Sequence, residues 1–208
     1  MEEDSLSTLI TNVISANMCL THTVPREPVF QKSAVPILSM ELHPIEHTVG
    51  IDTDAAFSCS TRRADFICLN TSPGAISAIP PPTGVGGAQT VGGIGALVRR
   101  SKSGHLVIDP DGIFIEAGPN DPQLCVFSAP RLKALGLKVE QCVNDTNEDA
   151  LIDRATKEAI TLSECSGILV MDTVGDMSDV PNTLAVQRLL KEIRTGKRSA
   201  MITRSNVH

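Results

Sequence analysis

An aspartate at the end of an apolar run is the feature of this sequence that points most directly to chemistry. Residues 49–51 are Val-Gly-Ile, and they lead straight into Asp52 and Thr53, after which small residues follow. A strand that delivers a carboxylate into a tight loop can supply a general acid or base. An aspartate in such a place also commonly caps its own β-turn, so this simpler interpretation stays open.

Other candidates for catalysis or ligand binding are weak. The five histidines are scattered, and the six cysteines include no Cys-x-x-Cys pair and have no histidine at zinc-binding spacing. Ser128 lacks the sharp turn that surrounds the nucleophile of a serine hydrolase. The glycine-rich segments 84–87 and 92–95 lack the Gly-Lys-Ser/Thr ending of a phosphate-binding loop. The sequence therefore predicts neither a metal nor another cofactor.

The composition argues against several classes of partner. The chain has 208 residues and a net charge of −6, and no basic run exceeds two residues, so binding to nucleic acid through phosphate neutralisation is not expected. No apolar run approaches the roughly 18 residues that a membrane-spanning helix needs, so no membrane partner is expected. Because no signal peptide is apparent and the cysteines show no disulfide pattern, we expect a cytoplasmic protein with reduced thiols.

Short apolar runs separated by turn residues predict an all-β domain over 33–173. Tryptophan and tyrosine are absent, so the core must be filled by Val, Ile, Leu and Ala, and β-branched residues favour sheets. One such run, 76–79, stops at three prolines. Asp109-Pro110-Asp111-Gly112 predicts a tight turn between two strands. Residues 129–135 have the spacing of one short helix, which Gly136 would end.

The two ends of the chain differ from the middle. Residues 1–32 begin with acidic residues and reach two prolines, which predicts a flexible N-terminal arm. Residues 174–208 open with a polar, acidic stretch. Helical periodicity over 183–193 then predicts a peripheral C-terminal helix, followed by a polar tail.

Three segments, in order, resemble a known family. Residues 49–55, Val-Gly-Ile-Asp-Thr-Asp-Ala, resemble the hydrophobic–Asp–Thr/Ser–Gly–Ala signature of aspartic proteases. Residues 90–98 look like the glycine-rich flap hairpin of retroviral proteases, and 124–136 are similar to that family's late strand and short helix. Residues 153–157 and 167–172 resemble the segments on the C-terminal side of the protease core in copia-type polyproteins. The chain thus resembles a retropepsin-like aspartic protease of a retroviral or copia-type retrotransposon polyprotein.

This resemblance implies a retropepsin-like acid protease barrel and a hydrolase that cleaves a polyprotein. One catalytic loop per chain supplies half of a carboxylate dyad, so Asp52 would meet its counterpart across the axis of a homodimer. In the family the loop threonine braces the two loops against each other and the alanine packs beneath them. These roles carry over to Thr53 and Ala55. The implied partners are a second copy of the chain and an extended polypeptide substrate.

A glycine-rich flap closes over the substrate in this family. Its tip needs positive φ and close backbone approach, which glycine allows. We predict that Gly92, Gly93, Ile94 and Gly95 form this tip and contact the substrate. A shifted alignment would place the tip at 84–87, and this alternative stays open.

Asp54 departs from the family pattern, which has a glycine that lets a backbone amide approach the catalytic carboxylate. Aspartate tolerates the left-handed backbone better than most residues, so Asp54 is kept in the candidate catalytic loop. Its extra carboxylate would lie close to the dyad. The alternative function is therefore a catalytically inactive retropepsin-like module for dimerisation or peptide binding.

The Asp-Thr pairs leave two further interpretations. In an unrelated β-barrel binding protein, Asp52 would only close a turn. Asp172 and Thr173 form a second Asp-Thr pair after an apolar run, which would allow two catalytic loops in one chain. Small residues do not follow this second pair, so it predicts the end of a strand.

Overall fold

The computed structural model describes residues 47–79, 83–84, 87–118, 123–143, 148–165, 167–174 and 183–203. The predicted arm at 1–32 lies outside the described residues. The strands in the described part of the chain are β1 Thr48–Asp52, β2 Cys59–Ser60, β3 Phe66–Asn70, β4 Thr83–Gly84, β5 Gly87–Ala88, β6 Thr90–Arg100, β7 Leu106–Glu116, β8 Cys125–Ser128, β9 Leu137–Val143, β10 Glu148–Asp153, β11 Ala159–Cys165, β12 Ile168–Asp172 and β13 Met201–Ile202.

Eleven of these strands form one open sheet. Its order is β3-β6-β7-β2-β8-β1-β12-β11-β10-β9, with β13 added on β7, while β4 and β5 form a separate hairpin. Burial with a period of two residues is clear in β11, where Ile160 and Leu162 are buried while their neighbours are exposed. The strand β6, which lies between β3 and β7, is buried over almost its whole length. The prediction of a mainly β fold is confirmed.

Two helices in the described part of the chain begin at a side-chain cap. The helices there are α1 Pro73–Ser77, α2 Ala129–Ala134 and α3 Leu184–Arg194, besides a 3-10 turn at Arg63–Asp65, and the caps belong to α2 and α3. The predicted short helix is α2, whose N-cap Ser128 accepts a hydrogen bond from the Arg131 N–H. The prediction of a strand-like run at 76–79 is wrong, because a proline in the first turn starts α1 at Pro73 and the helix continues through 76 and 77. In the described part of the chain, no helix is long and apolar enough to cross a membrane.

The C-terminal segment belongs to the main core. The predicted helix is confirmed as α3, in which Leu190 and Ile193 are buried. The predicted polar tail is wrong for 200–202, which are buried by at least 97%. Met201 pairs with Val107 of β7, and the Ile108 N–H donates to the Ala200 carbonyl oxygen at 2.9 Å. The segment after α3 therefore completes the sheet rather than trailing from it.

The predicted turn at 109–112 is also wrong, because β7 runs straight through it. Asp109 pairs with Leu97 of β6 and Gly112 pairs with Gly95, so β7 carries one more residue than β6 between these two pairs. This is a β-bulge, the place in a sheet where a proline such as Pro110 is tolerated. Both aspartates of this segment have arginine partners inside the protein.

Candidate active site

Asp52 stands at the carboxyl end of β1, in the middle of the sheet. β1 pairs in parallel with β8, where Asp52 lies opposite Ser128, and antiparallel with β12. Val49 and Ile51 are 0% and 2% exposed, whereas Asp52 is exposed. The end of a buried strand therefore holds this carboxylate in place while it remains exposed to solvent.

Two loop amides hold the Asp52 carboxylate. Its Oδ1 accepts hydrogen bonds from the N–H of Asp54 at 2.8 Å and of Ala55 at 3.1 Å. Thr53 and Asp54 are exposed, and Ala55 is half-buried. We call residues 52–56 the Asp52 loop. It brings together the four predicted catalytic residues.

Asp54 fulfils the backbone role expected of the family's glycine. Its amide approaches the Asp52 carboxylate, and among the described non-glycine residues only Cys68 and Lys157 have positive φ. The loop therefore needs no left-handed conformation at this position. The expectation that aspartate would have to tolerate such a conformation is wrong, and Asp54 adds its carboxylate to the loop without backbone strain.

A second turn in the chain has the same hydrogen bonds as the Asp52 loop but differs in the exposure of its aspartate. Asp153 ends β10, and its Oδ1 accepts from the N–H of Ala155 at 2.7 Å and of Thr156 at 3.2 Å. Asp153 is fully buried, however, while Asp52 is open to solvent. We call residues 153–156 the Asp153 turn. The hydrogen bonds alone fit a structural turn, and the exposure of Asp52 is what makes chemistry accessible.

Two buried serines tie the Asp52 loop to its neighbours. The Ser128 hydroxyl donates to the Ala55 carbonyl oxygen at 2.6 Å, and the Ser128 N–H donates to the Ser58 Oγ at 3.0 Å. The Ser58 hydroxyl in turn donates to the Asp109 carboxylate at 2.6 Å. The loop is therefore fixed to both β8 and β7.

A cluster of four charged residues lies behind these serines, and we call it the Arg131 cluster. Arg131 binds Asp109 at 2.9 Å and Asp111 at 3.1 Å. The Arg194 Nε of α3 binds Asp111 at 2.9 Å, and its Nη2 donates to the Pro110 carbonyl oxygen at 2.8 Å. Sequence reasoning missed this cluster, because a carboxylate at 109 looks like a turn residue until its arginine partner is placed.

The ionisation of Asp109 is controlled by this cluster. Burial alone would raise the pKa of Asp109, but the Arg131 charge and hydrogen bonds from Arg131, Ser58 and the Asp111 amide outweigh it and hold the pKa below the ordinary 3.8. Burial likewise opposes the charge of Arg131, yet Asp109 and Asp111 raise the pKa of Arg131. Both members of the pair are therefore charged at neutral pH.

This lowered pKa of Asp109 predicts acid-sensitive stability. A carboxyl whose folded pKa is depressed contributes stability that is complete above its unfolded pKa and is lost as the pH falls through the folded pKa. We expect the free energy of unfolding to fall below about pH 4 more steeply in the wild type than in Asp109→Asn. Urea unfolding from about pH 2 to pH 6 measures this difference, and parallel curves would contradict it.

The glycines assigned to a flap tip lie elsewhere. Gly92, Gly93, Ile94 and Gly95 are inside β6 and largely buried, so the prediction that they form an exposed hairpin tip is wrong. A Cβ on Gly93 would lie 2.9 Å from the Asn70 carbonyl oxygen, which shows that this glycine allows β3 and β6 to approach closely.

The alternative segment 84–87 is described at its two ends only. Gly84 at the end of β4 pairs with Gly87 at the start of β5, and residues 85 and 86 lie outside the described residues. The alternative position of the flap therefore stays a prediction.

The second Asp-Thr pair ends a strand, as predicted. Asp172 lies opposite Thr48, at the far end of β1 from Asp52. It binds Lys102 at 2.8 Å, and Thr173 accepts a hydrogen bond from the buried Arg99. The two Asp-Thr pairs therefore lie at opposite ends of β1 and do not form one site.

Cysteine chemistry near Asp52 is disfavoured. Burial, aided by the negative charge of Asp52, raises the pKa of Cys59 to about 12. This thiol stays protonated at neutral pH and is a poor nucleophile. Among the described residues, no group of three or more His, Cys, Asp or Glu side chains is placed to hold a metal ion.

Comparisons with known proteins leave the site to be interpreted on its own geometry. No family profile matches the chain, and no curated protein or solved structure is detectably similar to it.

Proposed function

We propose that the protein is an aspartic endopeptidase that acts as a homodimer and cleaves a polyprotein, with a retropepsin-like arrangement of its sheet. The observation that carries this proposal is the exposed Asp52 carboxylate, which a buried strand presents and two loop amides orient. Such fixed orientation is what a general acid or base needs, and the exposure of Asp52 leaves its carboxylate accessible to a substrate.

The proposed chemistry needs two carboxylates around one water molecule. Carboxylates held close together cannot both ionise easily, so they share a proton. One takes a proton from the water, which attacks the scissile carbonyl carbon, while the other gives its proton to the carbonyl oxygen. Transfer of a proton to the amide nitrogen then allows the C–N bond to break. This chemistry calls for no metal or other cofactor.

A second copy of the chain supplies the second carboxylate. Asp172 lies at the wrong end of β1 to pair with Asp52. Asp52, Thr53 and Asp54 are all exposed, which leaves the loop open to a symmetrical neighbour across a two-fold axis. Thr53 would brace the two loops, and the hairpin of β4 and β5 would cover an extended substrate.

The alternative is an inactive module for dimerisation or peptide binding, and Asp54 is the observation that favours it. In a dimer, its exposed carboxylate adds one negative charge per chain next to the dyad. Like charges at such short range repel one another, so the extra carboxylates oppose the close approach of the two Asp52 side chains that the chemistry needs.

Cleavage of casein and of the chain itself, between about pH 4 and pH 7, tests both functions. We expect the wild type and Asp54→Gly to cleave, with a specific activity that falls on dilution as the dimer dissociates. Cleavage by Asp54→Gly alone would select the inactive module. Silence of both proteins, together with a monomeric mass in sedimentation, would overturn the protease proposal.

A further inference from the structure

An unbroken path of hydrogen bonds joins the C-terminal helix to the Asp52 loop. It begins at Arg194 of α3, which binds Asp111, and continues through Arg131 to Asp109. The Ser58 hydroxyl links Asp109 to the Ser128 N–H. The Ser128 hydroxyl then reaches Ala55, whose own N–H donates to the Asp52 carboxylate.

We propose that Asp109, Arg131 and Arg194 are positioning residues for the Asp52 loop, so that α3 controls the geometry of this loop. Any effect on cleavage rests on the proposed protease function. The effect on the loop itself does not.

The direction of each hydrogen bond makes the path specific. A charged carboxylate only accepts, so Ser58 must use its single hydroxyl proton on Asp109. Its oxygen is then left to accept from the Ser128 N–H. Ser128 has the same constraint: its hydroxyl donates to Ala55, and its oxygen accepts from the Arg131 N–H at 3.2 Å. Loss of the Asp109 carboxylate would free the Ser58 hydroxyl to turn, and with it the oxygen that accepts from the Ser128 N–H.

Burial strengthens the hydrogen bonds along this path. Asp109, Ser58 and Ser128 are fully buried, and Arg131 is 8% exposed. Hydrogen bonds to charged groups are stronger than neutral ones and gain further in a low dielectric. Arg194 is the most exposed residue of the Arg131 cluster, with a side chain 14% accessible, and is therefore the charged residue that can be replaced with least risk to folding.

A second buried ion pair, bound to Ser60 of β2, offers a contrast. Asp65 and Arg99 are each 1% exposed and lie 2.6 Å apart, and the Ser60 hydroxyl donates to Asp65. The chemistry matches that of Ser58, Asp109 and Arg131. The Ser60 hydroxyl also lies near the Leu124 carbonyl oxygen, 3.1 Å away, rather than near the Asp52 loop. Of these two buried pairs, the one in the Arg131 cluster is thus the one connected to Ala55.

The test compares amide hydrogen exchange in the wild type, Arg194→Met and Arg198→Met. Arg198 is the matched control, because it follows the same helix and pairs on the surface with Glu192. The reporting amides are those of Asp54 and Ala55. The amides of Ala155 and Thr156 serve as an internal reference, because they make the same bonds in the Asp153 turn.

We expect Arg194→Met to speed exchange at Asp54 and Ala55 about tenfold relative to the reference amides, as loss of a charge-assisted hydrogen bond would. We call the exchange rate at Asp54 and Ala55, divided by the rate at the reference amides, the exchange ratio. Arg198→Met should leave this ratio unchanged. Arg194→Lys keeps the positive charge but lacks the planar guanidinium group, so its exchange at Asp54 and Ala55 should be intermediate between that of the wild type and that of Arg194→Met. If Arg194→Met does not fold, Arg194→Lys takes its place in the test.

Three results decide between these outcomes. An unchanged ratio in folded Arg194→Met and Arg194→Lys overturns the positioning role, even where the wild type cleaves casein. A raised ratio with no cleavage by the wild type supports the positioning role and contradicts the protease function alone. A raised ratio with lower kcat and an unchanged KM supports both, since a misplaced carboxylate slows chemistry without weakening substrate binding.

Discussion

Asp52→Asn is expected to abolish peptide cleavage, with kcat/KM falling at least about 1000-fold. Asparagine can neither take a proton from water nor deliver one to the scissile carbonyl. Its side-chain oxygen can still accept from the Asp54 and Ala55 amides. Because the residue is exposed, the free energy of unfolding should change by no more than about 0.5 kcal/mol. Cleavage assays and urea unfolding of the same preparations measure both quantities.

The chain offers a matched control in Asp172. It too ends an apolar strand, precedes a threonine and has an accessible side chain (44%), but it lies at the opposite end of β1. Asp172→Asn should therefore cleave as fast as the wild type. Equal losses in the two variants would contradict a specific role for Asp52 and leave it as the residue that closes a turn.

Activity of a mixture of the wild type and Asp52→Asn distinguishes an active site shared by two chains from one contained in a single chain. If each site needs one aspartate from each of two chains, an equimolar mixture that exchanges freely has about one quarter of its dimers intact. Activity per total protein would then fall to about one quarter of the wild-type value, against about one half for a monomeric enzyme. A value of one half would contradict the dimer while preserving the enzyme.

The candidate loop could be predicted from the sequence because its signal is local. An apolar run ending in Asp52 specifies a strand, and small residues after it specify a tight loop, and β1 and the Asp52 loop lie where this pattern places them. The glycines at 92–95 were misassigned for the opposite reason. Glycine is suited both to a hairpin tip and to the close approach of two buried strands, and only the position of β3 beside β6 distinguishes them.

The fold was predictable as far as periodicity reaches. The β-rich middle, α2 and α3 follow from apolar spacing and capping residues. Asp109 and Pro110 are turn formers by local preference, yet they lie within β7 because a bulge accepts the proline and two arginines neutralise the aspartates on either side of it. Those arginines come from 131 and 194, and contacts between residues so far apart leave no periodic signal. The burial of 200–202 was missed for the same reason.

Arg131→Met is expected to cost about 3–5 kcal/mol of stability. Asp109 is fully buried, and removing its partner leaves a carboxylate whose remaining hydrogen bonds, from Ser58 and the Asp111 amide, do not balance its charge. Methionine fills much of the volume of the arginine stem, so the loss reports the charge more than a cavity. Urea unfolding at about pH 7 measures the change, since Asp109 is ionised there.

The double variant Asp109→Asn with Arg131→Met shows whether the unpaired charge is the cause. Asparagine can still accept from Ser58, so the double variant should recover at least about half of the lost stability. Arg99→Met, in the matched Asp65 pair, should cost a similar amount but leave exchange at Asp54 and Ala55 unchanged relative to the Asp153 turn. If the double variant is no more stable than Arg131→Met, packing of the arginine rather than its charge holds β7 against α2. The ionic path to the Asp52 loop would then lose its physical basis.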